Sequence, residues 1–535
     1  MSIPQRSEGG STVSSSTDPS PRLSHARDIS RPGFYVKLVL MMLVNALGLY
    51  GILASYGQQE WGVLIFLALA LIVVDYVYFT KRAVPAKYLV PGLLFLIVFQ
   101  IYVMANTAYV AFTNYGDGHN DAKAPAITQI MKTADRRVEG TQTYPVTVLE
   151  REGEVAFAVV QDGVAKVGDT DTPLEEVADA VVDGDKVTEV PGAEVLTLAQ
   201  IQQRQRDVLD LRVSMTDNPD DGWLRTDNAA MAYVAKSLLT YDEAADTFTD
   251  PEGKVYTADE SQGLFVAQDG QSLTPGWRVT VGFDNFTTMF TDGRLAGPFF
   301  AALGWTFAFA ILSVLTTFAF GLMLAVVFND PRIKGRTVYR ALFILPYAFP
   351  GFLAALVWRG MLNRDFGFIN EVLLGGAAIP WLTDGTMAKL AILGVNLWLG
   401  FPYMFLVATG ALQSIPGELT EAAVVDGAGP LRRFWSITLP LLLVSVAPLL
   451  IASFAFNFNN FSLIFMLTGG GPNYAGAPWP IGETDILISM VYAIAFEGGN
   501  RMFGLASAMS ILIFVVVGFI SWLGFRQTRK LEEIM

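Results

Sequence analysis

Eight apolar windows, each near the length that crosses a bilayer as a helix, constrain this chain more than any other feature. They lie at 34–55, 61–80, 88–113, 298–328, 338–361, 387–412, 441–467 and 503–525. A membrane-crossing helix needs about 20 mostly apolar residues. Hydrocarbon offers no partners for backbone N–H and C=O groups, so an apolar window of that length is committed to helix. The third and fourth windows exceed one bilayer and should tilt or project beyond it. Composition agrees, with 52% hydrophobic and 16% charged residues over 535 positions, against about 25% charged in average soluble chains. The fold class expected is a polytopic α-helical membrane protein with eight transmembrane helices.

Lysine and arginine in the short loops set the orientation. "KRAVPAK" (81–87), "DPRIKGRTVYR" (330–340), Arg432 with Arg433, and "RQTRK" (526–530) follow the second, fourth, sixth and eighth windows. The alternate loops, "YGQQE" (56–60) and 362–386, hold one arginine between them. Both termini are therefore expected in the cytoplasm. Residues 1–33, rich in Ser, Pro and Arg, read as a disordered cytoplasmic tail, and 526–535 as a second tail. The first apolar window is full length and no A-x-A-like site follows it, so a cleaved signal peptide is not expected.

Between the third and fourth windows, residues 114–280 hold 31 acids and 14 bases. The formal charge of −14 is thus a property of this insert. "YPVTVLEREGEVAFAVVQDGVAKV" (144–167) alternates apolar and polar residues between Gly and Asp turns, which predicts strands. Residues 197–213 read as helix. An extracytoplasmic α/β domain with its own core is expected, its acidic surface either simply solvated or used to dock a soluble partner. There is no cysteine, and the two histidines, His25 and His119, have no cluster of ligands around them, so no metal is expected.

The cytoplasmic stretch 414–440 begins "SIPGELTEAAVVDGAGPLRRF". Pro416 suits a first helical turn, with Glu418 and Glu421 near the positive end of the helix dipole. Leu419, Ala422, Ala423 and Asp426 share one helical face. Gly427 fits the left-handed position that ends a helix, and Pro430 can start the next turn. A compact helix–turn–helix should result, tied at both ends to membrane helices.

Two windows carry amides. Asn396, Gly400 and Tyr403 fall on one face of the sixth, with a kink expected at Pro402. Ser453, Phe456, Asn457 and Asn460 fall on one face of the seventh. Such asparagines can bond one helix to another for about 0.6–2 kcal/mol. Alternatively, amides that donate and accept, beside flat rings, suit the hydroxyls and C–H faces of a neutral sugar. No Asp, Glu, Lys or Arg occupies the central parts of these windows, which argues against a carrier driven by an ion gradient. No carboxylate pair in the insert can be placed across a cleft, which argues against a membrane-anchored enzyme.

Glu421-Ala422-Ala423, Gly427 and Ile437-Thr438-Leu439-Pro440 match EAA-x3-G-x9-I-x-LP, and so resemble the EAA loop of ABC-importer permeases. From about Tyr88 to Lys530 the chain resembles the maltose/maltodextrin permease family. Its closest stretches are "FILPYAFPGF" (343–352), "NLWLGFPYMF" (396–405), "EAAVVDGAGP" (421–430), "IASFAFNFNNF" (451–461), "LTGGGP" (467–472), "AFEGG" (495–499) and "FGLASA" (503–508).

The resemblance implies two N-terminal helices (34–87), then a six-helix type I, MetI-like core (88–113 and 281–525) with the insert after its first helix. It implies that Glu421, Ala422, Ala423, Asp426 and Gly427 form the coupling helix for a MalK-like ATPase dimer. Asn396, Gly400, Tyr403, Ser453, Phe456, Asn457 and Asn460 would line the sugar site. A MalG-like second permease and a MalE-like sugar-binding protein are the other partners implied, with no nucleic acid. The chain lacks a G-x4-G-K-[ST] phosphate loop, so ATP and Mg are expected on the ATPase rather than here. Trehalose or another oligosaccharide is the alternative cargo.

Overall fold

A computed structural model of the chain describes residues 32–80, 84–151, 153–218, 221–330 and 332–532, with side chains to residue 526. Residues 1–31 of the expected tail, the basic pair Lys81 and Arg82, and residues 533–535 lie outside the described residues, as do the side chains of 527–532. Among the described residues seven helices are long and apolar enough to cross a membrane, or eight if one bent pair counts as a span.

The described residues up to Ala105 form one compact unit. Its helices Pro32–Gly57 and Trp61–Phe79 pack closely at small residues, since a Cβ on Gly48 or Gly51 would press on Leu71 or Leu67. Within this apolar pair Asn45 Nδ2 donates to Asp75 Oδ1 at 2.8 Å and to the Met41 carbonyl at 2.9 Å. Asp75 is a membrane carboxylate that the periodicity reading passed over, and its partner is what makes it tolerable there. The third span runs Val84–Val110, four residues earlier than its window, and includes a π-helical turn at Ile97–Ile101.

The second unit starts at Asn106. Its insert is antiparallel throughout the described strands. One sheet of five strands is built on the hairpin Thr147–Arg151 and Glu154–Gln161, a second on Trp223–Thr226 and Met231–Ser237, and a third is a meander from Thr240 to Leu273. In Glu154–Gln161 the side chains alternate between two cores. Val155, Phe157 and Val159 enter one, and Ala156 and Ala158 the other, as the two-residue period of a strand requires. The 197–213 helix is two short ones, Leu198–Gln203 and Gln205–Asp210, the first begun by a reciprocal Thr197–Gln200 cap.

The insert is closed at its neck by an antiparallel bridge between Thr113 and Thr280. Buried Asn285 donates to the carbonyls of Ala111 at 2.9 Å and Thr113 at 2.8 Å. Asp117 accepts from the Arg501 backbone N–H at 3.0 Å and from its guanidinium. Those bonds hold the Asp117 carboxyl below its ordinary range. Arg278 lies over the Tyr115 ring at 4.2 Å, and Tyr115 packs on Phe503, the first residue of the last span. The neck is thereby fastened directly to the membrane core.

Two windows need correction. The 338–361 window is a pair of helices, Arg336–Ala348 and Gly351–Met361, meeting at 92°. Pro350 removes a backbone donor and pushes Phe349 into an extended conformation, so no straight helix can pass. The 441–467 window is not one helix. The helix runs Pro430–Phe458, breaks at Asn459 and Asn460, and resumes as Phe461–Leu467. Beyond it, Leu487–Phe496 is a short apolar helix that was not anticipated. The long fourth span, Gly293–Val327, and the sixth, Gly385–Ser414, meet where a Cβ on Gly321 would come within 2.7 Å of the Phe405 backbone nitrogen. The sixth passes through Pro402 as one continuous helix.

Replacing Asn285 by Leu strands two buried carbonyls and should destabilise the neck by about 1–3 kcal/mol. Faster amide exchange at residues 111–116 and 279–281 is the expected readout. Unchanged protection there would show that the neck is held by other contacts.

Candidate functional site

The amide cluster sits where the sixth span meets the broken seventh. Asn396 Nδ2 donates to Asn457 Oδ1 at 2.9 Å, and Asn460 Nδ2 approaches Asn396 Oδ1 at 3.4 Å. Asn457 Nδ2 donates to the Ser453 carbonyl at 2.8 Å, so Ser453 contributes its backbone. Asn396 and Asn457 are 6% and 8% exposed, and every amide bond they make is to the neighbouring turn or helix. Asn460 also accepts from the Leu463 N–H at 3.4 Å, capping the helix that resumes after the break. The break frees its side chain to reach across to the sixth span.

The remaining residues of the two expected faces do not join this cluster. Gly400 faces the fourth span, where a Cβ would come within 2.8 Å of Thr317 Cγ2. It serves close helix packing there. Tyr403 is half-buried and stacks on Tyr347 at 6.4 Å with 21° between ring planes. Phe456 is 69% exposed while Asn457, one residue on, is buried, so the two point apart. The single face expected for Ser453, Phe456, Asn457 and Asn460 is therefore divided. The helix ends at Phe458, and Asn460 is placed by the break instead of by helical period. Thr317 and Tyr347 were missed because nothing in the periodicity of their own segments marks them.

The 414–440 loop folds as a short helix, Gly417–Val425, with Pro416 just ahead of it as its N-cap. Gly427 has φ +76°. The N–H of Ala428 bonds the Ala423 carbonyl at 2.9 Å and the N–H of Gly427 bonds that of Val424 at 3.0 Å, which together make a Schellman ending. Of the expected shared face only Ala423 is buried. Leu419, Ala422 and Asp426 are exposed, as are Glu421 and Gly427. Val424, Val425, Leu431 and Trp435 are also exposed, Val425 at 87%. Of these, Val424 and Val425 lie on the loop helix outside the spans, where adjacent exposed apolar side chains mark an interaction surface. A pattern search misses them because two adjacent valines carry no helical period.

The second helix of this loop is no separate turn. It starts at Pro430 and continues as the seventh span to Phe458 through a π-helical turn at Phe434–Thr438. That wider turn lies just before Pro440, whose ring would otherwise press on the carbonyl one turn back. One unbroken helix thus runs from three residues beyond Gly427 to Asn457.

The stretch Thr468–Ile486, outside the spans, folds over the bundle. Trp305 Nε1 donates to the Thr484 carbonyl at 3.2 Å, and the Leu487 N–H donates to Thr306 Oγ1 at 2.9 Å. Burial pushes the Asp485 carboxyl up to about 6, although Ser489 and the Gly482 N–H both hydrogen-bond it.

The architecture and the loop define a membrane subunit of the binding-protein-dependent ABC transporters. Residues 94–171 match the profile described as the N-terminal of the TM subunit in PBP-dependent ABC transporters, and 317–529 match the binding-protein-dependent transport system inner membrane component. The chain is 35% identical over 508 residues to the maltose/maltodextrin transport system permease protein MalF of Vibrio vulnificus, covering 92% of this chain and 95% of that one. It is 34% identical over 510 residues to MalF of Escherichia coli K12, covering 91% and 96%. A bacterial ABC transporter for alginate import aligns over 46% of this chain and 84% of its own, at 26% identity and TM-score 0.41. The chain belongs to the MalF family, as a multi-pass inner-membrane permease.

If the amide pair joins the two spans, a double-mutant cycle with Asn396→Leu and Asn457→Leu should return a coupling of about 0.6–1.7 kcal/mol in unfolding free energy. Strictly additive single effects would contradict a direct bond.

Proposed function

We propose that this chain is the permease subunit that carries maltose, maltodextrin or a closely related oligosaccharide through the inner membrane of an ATP-driven importer. It does no covalent chemistry of its own. ATP and Mg belong to a separate ATPase dimer seated on the loop around Glu421–Gly427. A second permease subunit completes the path, and an extracytoplasmic sugar-binding protein delivers the cargo to the side of the insert. Both termini face the cytoplasm in this arrangement.

The observation that carries the reading is the continuity of helix Pro430–Phe458 between the exposed apolar loop and the amide cluster. Closure of the ATPase dimer pulls the loop, and the helix transmits the displacement to Asn457. The Asn396–Asn457 bond then opens, and the released amides bond sugar hydroxyls in its place. Such an exchange costs little, because each buried amide keeps a partner in both states. Tyr403 and Phe456, both partly or largely accessible, supply ring faces for the C–H side of a pyranose, while Gly400 lets the fourth and sixth spans stay close. A ligand biases such an equilibrium only by binding its two states differently. Paired amides offer the sugar nothing, and separated amides offer it several bonds.

Two outcomes test this in proteoliposomes holding the complete transporter. Asn457→Leu or Tyr403→Ala should reduce sugar uptake at least tenfold while ATPase co-purification persists; unchanged uptake would remove the site. Glu421→Lys, or Gly427→Val at its left-handed φ, should leave the protein inserted but release the ATPase from sugar control. Normal coupling in both variants would overturn the proposed role of the loop.

A further inference from the structure

A cavity of about 420 Å³ opens at the end of the bundle where the fifth, sixth and seventh spans converge. Counting spans from the insert places this end on the same side as the insert. Its polar lining comes from Arg359, Asn363, Arg364, Asp365, Thr383 and Thr468, with Leu382 and Leu467 as its apolar part. Arg359 and Arg364 are exposed, and among the described residues neither guanidinium is in an ion pair or hydrogen bond. Asn363 uses its carbonyl oxygen on the N–H groups of Asp365 and Phe366, which leaves its two amide hydrogens free to donate.

The place of the cavity relative to the amides is fixed by one short helix. Phe461–Leu467 starts beside Asn460 and ends at the cavity wall, a rise of about 10 Å over seven residues. Between the two lies an apolar plug. Ile392 is one turn outward from Asn396 and Ile464 one turn outward from Asn460, and both are fully buried. In this structure buried Ile392 and Ile464 therefore stand between the cavity and the amide cluster, and one ligand reaches both only when these side chains part.

We propose that the cavity is an outer carbohydrate subsite that holds the far rings of a longer maltodextrin while its first rings occupy the amide cluster; this rests on the sugar-permease reading above. The donors and acceptors fit. Two guanidinium forks and an amide donate to hydroxyl pairs, Asp365 accepts, and Thr383 does either, while the Thr468 hydroxyl is already bonded to the Ile464 carbonyl and the Thr484 hydroxyl. The net charge of the three ionisable groups is +1, modest enough for a neutral ligand. A disaccharide on the amides fills the inner position alone, and each further ring projects toward the plug and the cavity.

The test is uptake of maltose and of maltotetraose by the complete transporter in proteoliposomes, comparing the native chain with Arg359→Ala and Arg364→Ala. The half-saturating concentration of maltotetraose should rise about tenfold, the loss of one charge-assisted hydrogen bond, while that of maltose stays within twofold. Arg→Lys at the same positions should restore part of the loss. Equal shifts for both sugars, or a higher half-maximal concentration of binding protein with both, would overturn the subsite and assign the arginines to protein docking. No accumulation of either sugar by the native complex would instead sink the sugar reading itself.

Discussion

An amide side chain inside a membrane bundle must have a partner, and that requirement organises the core of this protein. Asn396, Asn457 and Asn460 satisfy it by bonding to one another and to the Ser453 carbonyl. Leucines at these positions would pack in the same space without needing partners. In the function proposed above, the asparagines instead make the contact between the sixth and seventh spans conditional, with a hydroxyl-rich ligand taking over the bonds that they give up. The break at Asn459 and Asn460 is part of the same device. It ends the long helix one residue past Asn457 and gives Asn460 a position that an unbroken helix would not.

The other half of the arrangement is mechanical. The helix that carries Asn457 begins at Pro430, just past the Schellman ending at Gly427, and its 29 residues span about 43 Å. Its π-turn sits at the loop end, so the segment next to the amides is ordinary α-helix. At the opposite end of the bundle the insert is fastened through Asn285, Asp117 and Arg501 to the root of the last span. A soluble partner bound to the loop or to the insert would thus grip a structure continuous with the bundle.

Much of this was legible in the residues, and the failures share a cause. The apolar windows located every span to within a few residues, except that the seventh begins eleven residues before its window and ends nine residues short of it, because helix in lipid is compelled by backbone pairing. Gly427 was legible because its position demands a left-handed φ, and it has one. Irregular membrane backbone was not legible, since hydropathy is blind to it. Pro346 and Pro350 bend one window to 92°, and Asn459 and Asn460 divide another, yet both windows stay apolar throughout. Partners supplied from elsewhere in the chain were hidden too. The four-residue spacing of Asn396 and Gly400 gave no hint that one would face Asn457 and the other Thr317.

The absence of cysteine makes the central claim directly measurable, because paired labels can be introduced without background reaction from this chain. Gly394→Cys on the sixth span and Asn459→Cys at the break are both exposed and flank the amide cluster. Spin labels there, read by pulsed electron resonance in the assembled transporter, report whether the two spans part when the ATPase closes. The account predicts a longer label-to-label distance on binding of a non-hydrolysable ATP analogue, reversed when the nucleotide is removed. A distance that does not change with nucleotide would contradict it.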